Sequence, residues 1–184
     1  MPLDAISSTS TFRLLPPGKK QKQQLLVGDD RGIIYCYEFK KGEPLVVFIY
    51  KAFDGPVSSL TIGGISSKRD KIFASSHQKI VGINKKGKEF FNFTSTLTES
   101  IHSIVVQDTK IWNSSEYVHN LYKDGEDVDY FMSCDKINDT GIENITRDYE
   151  CDAVLACQDR CIRVISGSQC SIEIPVSSPV SSIT

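Results

Sequence analysis

Gly55-Pro56-Val57-Ser58-Ser59-Leu60-Thr61 returns later in the chain as Ser178-Pro179-Val180-Ser181-Ser182-Ile183-Thr184, with apolar side chains in the same slots and small hydroxyls between them. Val57 and Val180 are 123 residues apart (180 − 57), which divides into three steps of 41. A period of about 40–45 residues belongs to propeller repeats, in which each repeat is one four-stranded blade. Two intermediate copies keep the beat: Ser100-Ile101-His102-Ser103 stands 44 residues after the first (101 − 57), and Lys136-Ile137-Asn138-Asp139 a further 36 (137 − 101).

A second marker repeats in register with the first and shares no residue with it. Lys40-Lys41-Gly42-Glu43, Lys85-Lys86-Gly87-Lys88, Lys123-Asp124-Gly125-Glu126 and Ser166-Gly167-Ser168 put glycines at 42, 87, 125 and 167, each between two apolar runs. A tight hairpin at those points needs a residue that accepts positive φ. The runs themselves, such as Ile33-Ile34-Tyr35-Cys36-Tyr37 and Leu45-Val46-Val47-Phe48-Ile49, are apolar at successive positions. Strict alternation would mean one wet face, so these strands are expected to be covered on both sides, as in stacked blades.

The expected fold is therefore all-β: a partial, WD-repeat-like β-propeller of about four four-stranded blades plus the first strand of a fifth. The blades fall at approximately 11–53, 54–95, 99–133 and 135–175, the fifth begins within 176–184, and residues 1–10 form a loose amino terminus. The outer strand of the third blade is expected at 130–133, and residues 143–151 read as a polar insertion in the fourth. A blade cannot bury its faces alone. An unclosed ring should carry exposed apolar faces at both ends and be unstable or prone to aggregate by itself.

With 184 residues, 40% hydrophobic and 24% charged, the composition is that of a globular domain rather than a disordered chain. No apolar run reaches the roughly 20 residues that span a bilayer, and the start lacks a basic-then-apolar leader, so a cytosolic setting is expected. A net charge of −2 argues against general nucleic-acid binding. Cys151, Cys157, Cys161 and Cys170 form no C-x-x-C pair, which favours thiols used as small hydrophobes over a zinc site, and no cofactor or metal is expected. His77, His102 and His119 are isolated, and the inner-strand phrases are too sparse in converging polar residues for a catalytic channel, so no enzymatic activity is expected. Trp112 falls on an expected strand and reads as core. Asp159-Arg160 takes the place that Asp30-Arg31 holds in the first blade, where an aspartate caps a hairpin turn.

Several long phrases resemble one family. Phe91-Asn92-Phe93 with Thr96-Leu97-Thr98-Glu99-Ser100-Ile101, then Ser133-Cys134-Asp135-Lys136-Ile137-Asn138-Asp139, then Val154-Leu155-Ala156-Cys157-Gln158-Asp159-Arg160-Cys161-Ile162-Arg163-Val164 are similar to the amino-terminal propeller of the Bardet-Biedl syndrome protein 7 family. Val27-Gly28-Asp29 with Gly32, and Lys40-Lys41-Gly42-Glu43, fit the same family. The resemblance implies a non-catalytic scaffold subunit of the BBSome, a coat-like complex that carries membrane proteins into and out of cilia. It implies other BBSome subunits as partners, above all the protein 2 subunit through regions outside this stretch, and ciliary membrane proteins as cargo. It further implies peripheral membrane association and placement at the cytoplasm, cilium, basal body, ciliary membrane and centrosome. The alternative is a generic WD-repeat-like adaptor in another coat or signalling complex, weakened by the lack of any Trp-Asp dipeptide.

Charge is the one candidate functional feature. In a propeller, the first-to-second and third-to-fourth strand turns of every blade share one face of the disc. In the first two blades those turns contain Lys19, Lys20, Lys22, Lys40, Lys41, Lys68, Arg69, Lys85, Lys86 and Lys88. In the third and fourth they carry Asp108, Asp124, Glu126, Asp127, Glu143, Asp148 and Glu150. Lys40, Lys41, Lys68, Arg69, Lys85, Lys86 and Lys88 are the candidate contacts, with an acidic neighbouring subunit or an anionic lipid surface as the partner.

Overall fold

A computed structural model describes residues 7–17, 23–65, 68–147 and 150–183. Among the described residues sixteen strands make four four-stranded antiparallel sheets. Blade one comprises β1 (Phe12–Leu15), β2 (Gln24–Gly28), β3 (Ile33–Lys40) and β4 (Glu43–Lys51); blade two comprises β5 (Ser59–Ile65), β6 (Lys68–Ser76), β7 (Lys79–Asn84) and β8 (Glu89–Thr94). Blade three comprises β9 (Ser103–Gln107), β10 (Lys110–Ser114), β11 (Val118–Lys123) and β12 (Glu126–Met132); blade four comprises β13 (Ile137–Glu143), β14 (Asp152–Cys157), β15 (Cys161–Ser166) and β16 (Gln169–Pro175). Within each sheet the strands lie in chain order, so every connection is a hairpin, and the four blades do not close a ring.

The marker glycines sit where the hairpins need them. Gly42, Gly87, Gly125 and Gly167 join the third and fourth strands of the successive blades and all have positive φ. Where the preceding residue is Lys41 or Asp124 it too is left-handed, at φ 53° and 54°, as a two-residue turn matched to strand twist requires.

The repeated phrase has a single structural job. Val57, Ile101 and Ile137 are all buried, and each donates its backbone N–H across the blade boundary to the carbonyl of a turn between the second and third strands of the preceding blade. The acceptors are Asp29 at 3.0 Å, His77 at 2.7 Å and Glu116 at 2.8 Å. The small residues that follow lace the inner strands: Ser58 Oγ donates to the Ile101 carbonyl at 2.6 Å, and Ser103 Oγ to Asp139 Oδ1 at 3.0 Å. Residues 180–183 carry no ladder, yet run where the next inner strand belongs, with Ile183 N–H donating to Asp139 Oδ2 at 3.0 Å and Asn138 Nδ2 to the Val180 carbonyl at 2.8 Å.

Three apolar cores fill the spaces between blades. Leu26, Ile34 and Cys36 of blade one meet Leu60, Ile72 and Val81 of blade two. Phe73 and Ile80 meet Ile104, Ile111 and Tyr122 of blade three, and Trp112 and Leu121 meet Ile137, Leu155 and Ile165 of blade four. Trp112 is thus core, as its place on a strand predicts. Both faces of blades two and three are covered by this chain, but one face of blade one is not. Leu25, Val27 and Tyr37 form its floor, and Phe12, Leu14, Val46 and Ile49, each about half exposed, share that side. At the other end every residue of β16 is exposed, including Ile172 and Ile174.

Three local readings change. Residues 9 and 10, expected within a loose terminus, form with Thr11, expected to open the first strand, a 3-10 turn in which Ser8 N–H donates to Thr11 Oγ1, and Ser10 Oγ bonds the Ser58 carbonyl. The outer strand of blade three begins at Glu126, not Tyr130. Glu and Asp disfavour strands, but the tight Asp124-Gly125 turn starts pairing at once, with Lys123 opposite Glu126, and a bulge at Leu121/Tyr122 absorbs the mismatch. In the turn between second and third strands, left-handed Arg160 (φ 62°) occupies the place of Gly32 (φ 80°), so Asp159 corresponds to Arg31 rather than Asp30. The capping residue of blade one is the buried Asp29, whose Oδ1 accepts from Arg31 N–H at 3.0 Å and Ile33 N–H at 2.7 Å, whereas Asp159 pairs with Arg163.

Gly32 is the tightest of these points. A Cβ there would lie 2.2 Å from the Phe53 carbonyl oxygen, and its own carbonyl accepts from Ala52 and Phe53. Gly32→Ala is expected to destabilise by roughly 2 kcal/mol or more, read as a lower urea midpoint at unchanged slope. Ile101→Ala, at a wholly buried site, should cost about 2–5 kcal/mol by the same measurement.

Candidate functional site

Among the described residues, hydrogen bonds and an ion pair tie the charged turns of successive blades to one another. Lys85 Nζ donates to the Pro16 carbonyl at 3.3 Å, joining blade two to blade one. Asp108 N–H donates to the Gly64 carbonyl at 3.3 Å and Asp124 N–H to the Thr109 carbonyl at 3.2 Å, fixing both turns of blade three. Lys110 pairs with Glu150 of blade four at 3.7 Å, and Ser168 Oγ with Asp129 Oδ1 at 2.7 Å.

The basic side is built from two hairpins. Lys40 ends β3 and Lys41 opens the turn, both exposed. In the second hairpin the Asn84 side-chain oxygen accepts from Lys86 N–H at 2.8 Å and Lys88 N–H at 3.1 Å, which holds Lys85, Lys86 and Lys88 on a rigid loop. Gly87 lets that loop press on Phe48, since a Cβ would stand 2.8 Å from its ring. Lys68 and Arg69 take the first two positions of β6. Lys19, Lys20, Lys22 and Asp148 lie outside the described residues. On the acidic side Asp127 already accepts from Asn120 Nδ2 at 3.1 Å, and Glu150 is taken by Lys110. The sharpest charge contrast is thus between the lysine hairpins and the turns of Asp108 and Asp124.

The same face holds a feature that strand patterning does not single out. A cleft of about 420 Å³ opens between blades two and three, floored by Phe73, Phe91, Val106 and Ile111. Gly63 and Gly82 make room for the Phe73 ring from both sides, with a Cβ at either coming within 2.9–3.0 Å of it. The sequence signal is those two strand glycines together with the aromatic run Phe90-Phe91-Asn92-Phe93.

Cys151 follows Glu150 on this face, and its Sγ lies 3.9 Å from Gln107 Oε1. Cys36 and Cys157 are buried in interblade cores, and burial raises both thiols, Cys36 to about 11, so they pack as apolar groups. His77 is exposed in a turn, and His102 lies at the hub, where burial first of all lowers its pKa. His119 is buried between blades three and four: its Nδ1 and the Ser114 hydroxyl are 2.8 Å apart, and Ser114 bonds Thr140 of the next blade at 2.6 Å.

A profile of the family described as BBS7 beta-propeller matches residues 12–184. The BBSome complex member BBS7 of Mus musculus is 37% identical over 177 residues, which is 95% of this chain and 24% of that protein. The BBSome complex member bbs-7 of Caenorhabditis elegans is 27% identical over 174 residues, 91% of this chain and 24% of that protein. The chain therefore spans about a quarter of the length of these relatives. Among solved structures, a chain of the mitotic checkpoint complex crystal structure superposes with a TM-score of 0.67 at 11% identity, covering 86% of this chain and 51% of that one; the likeness is one of propeller fold.

Burial lowers the pKa of His119 to about 4 from an ordinary 6.5. The unfolded chain takes up a proton as pH falls below 6.5 and the folded one does so only near 4, so this contribution is whole above 6.5 and is lost on the way down. Urea unfolding at pH 7, 5.5 and 4.5 should show stability falling through that window, by up to about 3 kcal/mol from this group near pH 4. His119→Gln should flatten the slope.

Proposed function

The chain belongs to the BBS7 beta-propeller family, and we propose on that premise that it serves as a non-catalytic propeller scaffold of the BBSome, working in ciliary membrane-protein trafficking through contacts with other subunits. The observation that carries this reading is the family match along residues 12–184 together with relatives that are themselves BBSome members. The architecture agrees with it in physical terms. Inner strands are laced by serine and backbone bonds, and exposed charge is concentrated on rigid hairpin turns, an arrangement suited to presenting surfaces.

Within that role the basic hairpins of Lys40, Lys41, Lys85, Lys86 and Lys88, with Lys68 and Arg69 beside them, meet an acidic surface of a neighbouring subunit. Such contacts act at long range, orient the encounter and weaken with salt. Catalysis, a cofactor and nucleic-acid binding have no part in this reading.

Affinity capture of the tagged chain from ciliated cells, followed by mass spectrometry, is expected to recover coat subunits in constant ratio. Recovery of an unrelated set of partners would overturn the assignment. Reversing Lys85, Lys86 and Lys88 to Glu should lower that recovery roughly threefold or more at low salt, with a smaller effect at high salt. Unchanged recovery at every salt concentration would remove the electrostatic contact from the account.

A further inference from the structure

The cleft between blades two and three has the construction of a docking groove, and the scaffold reading gives it no occupant. Its floor is apolar: Phe73 stands edge-on to Phe90 and Phe91, at centroid distances of 5.7 and 5.9 Å, with Val106 and Ile111 facing them from blade three. At about 420 Å³ it falls within the range of pockets that take ligands, about 300–1,000 Å³. Phe90 is 44% exposed, so one wall of the groove is available from solvent.

The two lips differ in charge. On blade two the Lys71 ammonium lies 4.6 Å from the Phe90 ring centroid and is engaged there. On blade three Asp108 and Asp124 are exposed, and among the described residues neither has an ion-pair partner. Both are held left-handed, at φ 53° and 54°, and their N–H groups are tied to the Gly64 and Thr109 carbonyls. Two carboxylates are thus set at a preformed rim above an apolar floor, which lowers the ordering cost of binding.

We propose that this groove docks an extended segment of a partner protein through a bulky aliphatic side chain seated among Phe73, Phe91 and Ile111, with an adjacent lysine or arginine held by Asp108 and Asp124. The apolar floor supplies affinity and the carboxylates fix register and select a cationic neighbour. The inference rests on the reading of the chain as a scaffold, since it names a surface and a partner chemistry within that role.

The probe is a fluorescein-labelled peptide carrying two leucines followed by two arginines, compared with one in which glutamates replace the arginines, in anisotropy titrations against the full chain. The arginine peptide is expected to bind about tenfold or more tightly than the glutamate peptide. Asp108→Asn with Asp124→Asn should erase that preference, because asparagine tolerates the left-handed backbone and the fold is kept, and a thermal melt of the double variant checks this. Phe90→Ala should weaken the arginine peptide. Equal affinity for the two peptides, an unaltered preference in the double variant, or no saturation up to about 1 mM would overturn the proposal. Peptide binding by a chain that captures no coat subunits would remove the assembly reading and leave the groove; normal capture without peptide binding would do the reverse.

Discussion

Each blade is fastened to the next at one recurring place, where the connection from an outer strand returns to the hub. A buried aliphatic residue, Val57, Ile101 or Ile137, drops into the interblade core while its own N–H reaches back to a turn carbonyl of the preceding blade. A backbone donor taken out of water there must find an acceptor. The turn supplies it, and in doing so fixes both the spacing of the sheets and the height of the inner strand. Polar residues follow along the hub, and two of their hydroxyls become the crosslinks Ser58 to Ile101 and Ser103 to Asp139.

This fastening is directional, and the two ends of the array differ as a result. Blade one presents an apolar face with a half-buried floor of Leu25, Val27 and Tyr37, while blade four presents β16 with residues 180–183 lying along its inner strand. In closed propellers such faces are covered by neighbouring blades. The same logic places the interblade cores at the centre of stability, and the buried His119 is held there through Ser114 of its own blade and, beyond it, Thr140 of the next.

The turn face is the part of the molecule with freedom to specialise. Its hairpins are fixed by glycines, left-handed residues and carbonyl contacts that make no demand on side-chain charge. Those turns carry lysines in the first two blades and aspartates in the third. Where those two regimes meet, between blades two and three, an apolar cleft opens beneath an acidic rim.

The blade count, the hairpin turns and the burial of Trp112 were legible in the amino-acid order, because they follow from periods: a spacing near forty residues, a positive-φ residue at each hairpin, and apolar runs between. The start of the outer strand in blade three and the alignment of Asp159 with Arg31 were not. The first depended on a bulge that lets acidic residues pair, and the second on which residue of a three-residue turn is left-handed. The cleft was also closed to sequence reading, since its walls come from two sheets and its volume depends on how Gly63 and Gly82 let one phenyl ring settle between them. Periodicity is a property of the chain and survives in one dimension; the space left between packed faces exists only once the faces have met.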